Sequence, residues 1–344
     1  MATRTSGRRK RWRHLQQRDL LEVRLCDLAV KIEGTWLQER TERVLEELRA
    51  RHLRVRPHFW LSDEWFSPGG IPGVAVPFYL ADPKLARLER SQMLEVEGGT
   101  PDGCARILRH EVGHAVQHAY RLQRRRRWQQ LFGSASVPYT GTYRPNPASR
   151  RFVQHLDAWY AQSHPEEDFA ETFAVWLSPR SNWRERYRGW PALRKLEYVD
   201  TLMKEIGTTA PLVRSRAKPY GLPSLRITLG EYYARKRSAF SFRYSEAHDR
   251  DLKRLFADRS VHPDAESAAS FLRRYRRELR ELVAKWSGDY IFTVDQVLKD
   301  MIGRCKELKL VAVGSERKLR MDFAIMLTVH STSYLYRGRE WHSM

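Results

Sequence analysis

Arg109-His110-Glu111-Val112-Gly113-His114-Ala115-Val116 sets the fold expected of this 344-residue chain. Residues i and i+4 of an α-helix share a face. His110 and His114 therefore present two imidazoles to one ion, and each can reach Zn²⁺ through a ring nitrogen at about 2.0–2.1 Å. Glu111 follows His110 by one position, about 100° around the helix, so its carboxylate flanks such an ion without ligating it and can take a proton from an activated water. The HExxH spacing predicts metal-assisted hydrolysis. Ile107, Leu108, Val112, Ala115, Val116 and Ala119 surround the pair at helical spacing and predict a buried helix from Pro101 or Asp102 to near Arg121. Gly113 costs about 1 kcal/mol relative to Ala inside a helix, which implies close packing by another element at that point.

A catalytic zinc takes three protein ligands and leaves one position open. Tyr120 and Arg124 stand where a third histidine shortly after His114 would fall, so the remaining ligand must come from further along. Ser163-His-Pro-Glu-Glu-Asp-Phe-Ala-Glu-Thr-Phe-Ala-Val-Trp-Leu177 predicts a second helix. Ser163 with Glu166 forms a capping box, Pro165 suits the first turn, and Phe169, Phe173, Trp176 and Leu177 form the core stripe. With Glu166 committed to the cap, Glu167 and Glu171 remain on one face. Two carboxylates in an apolar helix repel unless a cation lies beside them. The reading assigns Glu167 as the third ligand and Glu171 as a hydrogen-bond partner that fixes a ligand histidine's tautomer. Glu171 or His164 as the ligand is the alternative.

HEVGHAV followed about fifty residues later by EDFAETF resembles the gluzincin peptidases. The E-x-F-A-E element is similar to that of the lethal-factor-type and Pro-Pro endopeptidase branch. RPHFWLSDEWFSPGGIPGVAVPFYL, RILRHEVGHAVQHAYRL, LDAWYAQSHPEEDFAETFAVWL and GWPALRKLEYVD resemble a bacterial family of zinc-binding metallopeptidases over roughly residues 20–210. The resemblance implies an α+β, zincin-like domain with a small mixed sheet and one zinc ion per chain. It also implies Glu167 as ligand, Glu171 as support, and Tyr160, seven residues before that ligand, as a catalytic hydrogen-bond donor. His155 and His164 are the fallback donors.

The rest of the chain adds organisation. Its length predicts two domains: a basic, disordered tail over 1–18, a catalytic domain over 19–207, a Pro-containing linker over 208–228 and a helical, basic C-terminal domain over 229–344. Residues 19–50 predict one or two amphipathic helices broken near Gly34. Leu53–Leu61 and Val74–Leu80 predict strands, the second an edge strand able to hold an extended peptide by strand addition, or else part of an internal hairpin. Residues 133–150 predict an ordered loop at best, and Pro191–Ile206 an amphipathic helix. In the C-terminal part, Phe271, Leu272, Tyr275, Leu279, Leu282 and Trp286 predict one apolar helix face opposite arginines. Thr293 with Gln296 predicts a second capping box.

His118 lies one turn beyond the ion and is expected as a partner or surface residue, and Cys104 as a buried thiol. The widely spaced Cys26, Cys104 and Cys305 argue against a disulfide framework. With no apolar run of signal or membrane-spanning type, they predict a cytoplasmic protein. The net charge of +21 favours polyanionic company. The partners expected are a protein or peptide substrate and, through the basic termini, nucleic acid or another polyanion. The rival to a zinc peptidase is thus a polyanion-binding protein whose metal core is structural or acts only on proteins held at a polyanion.

Overall fold

A computed structural model describes residues 11–140, 143–239 and 248–337. The described residues form two compact units, 11–91 with 96–234, and 92–95 with those from 235 onward. The expected disorder over 1–10 lies outside the described residues. From residue 11 onward the expected tail is ordered, because Trp12 is buried and its indole N–H donates to Leu28 O at 2.8 Å. Arg13 also pairs with Asp82 at 2.9 Å.

The first unit is α+β. Helix α1 (Trp36–Ala50) buries Leu37, Val44 and Leu48. It begins after Gly34, whose φ of 73° takes the backbone out of the helical region. Residues 21–28, expected to be α-helical, are not, apart from a single 3-10 turn at Leu25–Asp27. Their backbone pairs instead with a distant stretch: Leu25 N–H donates to Ile227 O and Cys26 N–H to Leu225 O, while Leu229 N–H and Gly230 N–H return to Val23 O and Leu21 O. The stretch read as a linker therefore supplies backbone partners to the N-terminal segment. Side chains add to this, as Trp60 Nε1–H donates to Pro219 O at 3.1 Å and Ser62 Oγ–H to Tyr220 O at 2.7 Å.

Strands β1 (His58–Ser62) and β2 (Gly73–Pro77) pair in parallel, Trp60 opposite Ala75. The parallel pairing rules out a hairpin between them. The free edge expected for β2 is also taken, because Ala75 N–H donates to Phe66 O at 2.8 Å and every residue of β2 is buried. A substrate strand added along β2 would have to displace that contact.

Helix α2 (Pro83–Met93) follows, then α3 (Pro101–Tyr120), which carries the HExxH stretch. Thr100 caps α3 by accepting the Gly103 N–H, and Arg121 ends it with a left-handed φ of 51°. The short α4 (Arg126–Phe132) precedes the irregular segment expected over 133–150. Next come α5 (Pro165–Leu177), the Glu167-bearing helix, and α6 (Ala192–Gly207). Helix α3 packs on α5, α1 and β2, and α6 backs α5. Lys195 of α6 holds the buried Asp168 of α5 at 2.5 Å. The unit ends at Ala234, within α7 (Leu229–Ala239), whose Leu229, Tyr232 and Tyr233 are buried.

The second unit is mostly helical. Helices α8 (Asp249–Leu255), α9 (Ala268–Ser287), α10 (Ile291–Glu307) and α11 (Glu316–Arg337) surround a core of Phe256, Phe271, Leu272, Leu279, Val283, Leu298, Met301, Phe323 and Leu327. A two-residue antiparallel pair joins β3 (Ala257–Asp258) to β4 (Leu310–Val311). The apolar face read for α9 stops short: Leu282 is 44 % and Trp286 74 % exposed, and Val283 and Ala284 take the core positions. Thr293 is not a cap either. Burial of Phe292 and Val294 extends α10 upstream, so it starts at Ile291 with Tyr290 as its cap residue. Part of the basic charge is used internally: Arg276 and Arg280 both hold the buried Asp295, and Arg304 grips Asp249 with two nitrogens. Among the described residues, no helix is long and apolar enough to cross a membrane.

Candidate metal centre

The site is made by the crossing of α3 and α5. A Cβ on Gly113 would lie 3.0 Å from Ala170 Cα and 3.2 Å from its carbonyl oxygen, so only glycine lets the two backbones come this close. His110 and His114 flank Gly113 by three residues before and one after. Glu167 and Glu171 flank Ala170 by the same steps. The contact therefore sets two imidazoles against two carboxylates in a buried layer.

His110 Nε2 lies 3.0 Å from Glu167 Oε2, His114 Nε2 lies 3.1 Å from the same oxygen, and the two Nε2 atoms are 3.2 Å apart. These three atoms form the one His/Cys/Asp/Glu grouping among the described residues with metal-site spacing. Tetrahedral zinc with ligand bonds of about 2.0–2.1 Å has ligand–ligand edges of about 3.3 Å. The triangle is close to one face of such a polyhedron, and two neutral imidazoles with one carboxylate are a donor set that zinc takes.

On its other side, His110 Nδ1–H donates to Glu171 Oε1 at 2.9 Å, and Glu171 Oε2 accepts the Leu156 N–H at 2.8 Å. The Nδ1 proton leaves the Nε2 lone pair turned toward Glu167 and His114, where lone pairs converge and a cation is needed. Without an ion a proton meets that need, and metal binding must displace it. Burial pulls the His110 pKa down, but hydrogen bonds and charge from Glu167 and Glu171 overcome it and hold it at about 10. Burial alone would raise the carboxyls of Glu167 and Glu171, yet the imidazoles hold both below their usual range. Glu111 is buried beside these residues and outside the ligand triangle. Burial pushes its carboxyl above the ordinary value, against the two imidazoles.

Tyr160 is buried with its ring centroid 5.3 Å from that of His110. It follows two left-handed residues, Ala158 (φ 60°) and Trp159 (φ 55°), in a turn held by Tyr143 O–H donating to Ala158 O at 2.5 Å. Non-glycine residues in this region cost about 1–3 kcal/mol each and gather where function needs a fixed side chain. Burial, then the charges of Glu167 and Glu111, keep the Tyr160 phenol protonated and thus a donor. The fallback donors are engaged elsewhere: His155 Nε2–H donates to Arg106 O at 2.9 Å and His164 Nε2–H to Val137 O at 2.8 Å.

The predicted capping box at Ser163 is replaced. Ser163 Oγ–H closes the previous turn on Tyr160 O, and the extended His164 caps α5 by accepting the Glu166 N–H on Nδ1. Glu166 instead accepts from Gln117 Nε2 at 2.6 Å. Sequence reasoning missed Tyr139, whose hydroxyl donates to Glu167 Oε1 at 2.8 Å. It lies in an irregular polar stretch where no periodicity marks it.

The HExxH stretch, the glutamate-bearing helix and Tyr160 fall within one matched span. Residues 104–184 match the family described as "Putative zinc-binding metallo-peptidase". The matched span is narrower than the resemblance over 20–210, and it holds His110, Glu111, His114, Tyr160, Glu167 and Glu171 together. No curated protein and no solved structure matches the chain.

His118, expected as a partner or surface residue, is buried, with its ring stacked on His114 at 6.5 Å. Burial and then His114 push its pKa down to about 4, against a hydrogen bond to the Ser67 backbone. The unfolded chain takes up this proton at about pH 6.5. Above that pH His118 costs nothing; as pH falls from 6.5 toward 4, folding must keep the ring neutral, and stability drops by at most about 3 kcal/mol. Denaturant unfolding of the metal-free protein at pH 7 and pH 4.5 is expected to show a smaller acid loss in H118Q than in the wild type. Equal losses would remove His118 from the acid response.

Proposed function

We propose that the first unit is a zinc-dependent endopeptidase in which His110, His114 and Glu167 hold one zinc ion and Glu111 is the general base. The observation that carries this is the convergence of His110 Nε2, His114 Nε2 and Glu167 Oε2 to within 3.0–3.2 Å of one another in a buried layer. Zinc bound there would supply Lewis acidity, lowering the pKa of a water to about 7 and polarising a carbonyl. Glu111 takes the proton from the attacking water and passes it to the leaving amine. Tyr160, with its phenol proton retained, donates to the oxygen of the scissile carbonyl as negative charge develops. Glu171 holds His110 in the tautomer that turns Nε2 inward.

The substrate class is a protein or peptide. A site that only braced the fold would have no need of a proton acceptor at Glu111. The free cysteines, with the buried Cys104 and Cys305 thiols pushed up to about 12 by burial, support a reducing, cytoplasmic setting.

Zinc analysis with a peptide-library cleavage assay, with and without chelator, tests the reading. One zinc per chain and chelator-sensitive cleavage are expected. E167A is expected to lose the ion, and E171A to bind it about 10–100-fold more weakly. Full zinc in E167A with none in E171A would exchange the two roles. Cleavage that survives chelation would end the proposal.

A further inference from the structure

Tyr139 reaches the site from the irregular segment that follows α4. Its ring stacks on the His164 imidazole with centroids 3.7 Å apart and planes at 16°. That imidazole is fixed at both nitrogens, by the Glu166 N–H at Nδ1 and by Val137 O at Nε2. The phenol is thus presented from a ring clamped between a helix start and the loop's own backbone.

Its hydroxyl lies 2.8 Å from Glu167 Oε1 and 3.3 Å from Glu166 Oε2. One phenol carries one proton, and the shorter contact assigns it to Glu167. Glu166 is held separately, through its other oxygen, by Gln117. The two oxygens of Glu167 therefore face different partners: Oε1 accepts from Tyr139, while Oε2 faces both imidazoles.

A carboxylate can meet a metal through one oxygen or both. We infer that Tyr139 is a positioning residue that occupies Glu167 Oε1, so that Glu167 binds the ion through Oε2 alone and a coordination position stays free for water or substrate. This rests on the reading that His110, His114 and Glu167 hold a divalent ion, and it extends that reading to a residue outside the HExxH and E-x-F-A-E elements.

The variant that isolates the hydroxyl is Y139F, which keeps the stacked ring. At 59 % exposure the Tyr139 side chain is not part of the packed core, so the fold should accept the change. Wild type and Y139F are compared by competitive zinc titration, by visible absorption of the cobalt(II)-substituted proteins, and by melting of the metal-free proteins. Zinc affinity is expected to fall about 10–100-fold. The cobalt bands are expected to weaken and shift as Glu167 gains a second contact, and metal-free melting should stay within a few degrees of wild type. Identical affinity and spectra, in a wild type that binds both ions, would overturn the role of Tyr139 alone. A wild type that binds neither ion would overturn the metal centre and this inference together. A large drop in metal-free melting with unchanged cobalt bands would show Tyr139 to be a support of the fold and overturn the inference.

Discussion

E111Q is expected to lower peptide cleavage by about two to four orders of magnitude, the range of a general acid–base group, while zinc content stays at that of the wild type. Glu111 is buried and lies outside the triangle formed by His110, His114 and Glu167, so its loss removes no ligand atom. Glutamine keeps the shape and cannot accept the proton. Burial already raises the Glu111 carboxyl above its ordinary range, bringing it closer to the pH at which it must both take and return a proton. The amide also spares the fold a buried charge, so melting should hold or rise slightly. Cleavage rates and zinc content measured on one preparation decide the matter, and unaltered turnover would exclude Glu111 as the base.

The second large effect is expected at Gly113. Valine there would place a Cβ 3.0 Å from Ala170 Cα, 3.2 Å from its carbonyl oxygen and 3.2 Å from Phe173 Cδ1. Two of these neighbours are backbone and cannot rotate aside, so α3 and α5 must part. Overpacking of this kind costs about 1–3 kcal/mol, a fall in melting temperature of roughly 2–12 °C for a unit of this size. The metal centre should suffer more than the fold, because its ligand atoms belong to the two helices being separated. Zinc binding about tenfold weaker than wild type or worse is expected, because the neighbours must give by a few tenths of an ångström and ligand distances tolerate only about 0.2 Å. Calorimetry and zinc titration of G113V read both. Wild-type zinc affinity in a folded G113V would show that the Gly113–Ala170 contact does not set the ligand spacing.

What was legible in the sequence was local. The HExxH spacing, Pro101 or Asp102 at the start of the helix and the apolar residues around the two histidines all speak within a few turns, and α3 forms where they point. Glycine in the middle of that helix signalled a close neighbour, and Ala170 is that neighbour. The side-chain atoms of His110, His114 and Glu167 lie together, brought there by the crossing of α3 and α5 at Gly113 and Ala170.

Less legible was whatever depends on partners distant in the chain. Leu21, Leu25 and Leu28 have helical spacing, but Leu21 O accepts from Gly230 N–H and Leu25 N–H donates to Ile227 O, and no local period reports that. Ser163 and Glu166 form a valid capping pattern. His164 wins the cap because the Ser163 hydroxyl is already spent on Tyr160 O and the His164 ring bridges to Val137. Leu282 and Trp286 share a face with Leu279, yet they extend past the core that α10 and α11 build. Tyr139 was invisible for the same reason, as its role is set by where an irregular segment is tethered and not by any spacing.

The crossing of residues 21–26 with 225–230 has a consequence for how the protein is made. Residues 21–26 cannot satisfy these main-chain donors and acceptors until some two hundred further residues have left the ribosome. Completion of the first unit therefore comes late in synthesis, after the histidine-bearing and glutamate-bearing helices are already free to meet. The order of emergence allows the ion-binding pair to assemble first and the chain's two distant stretches to close behind it.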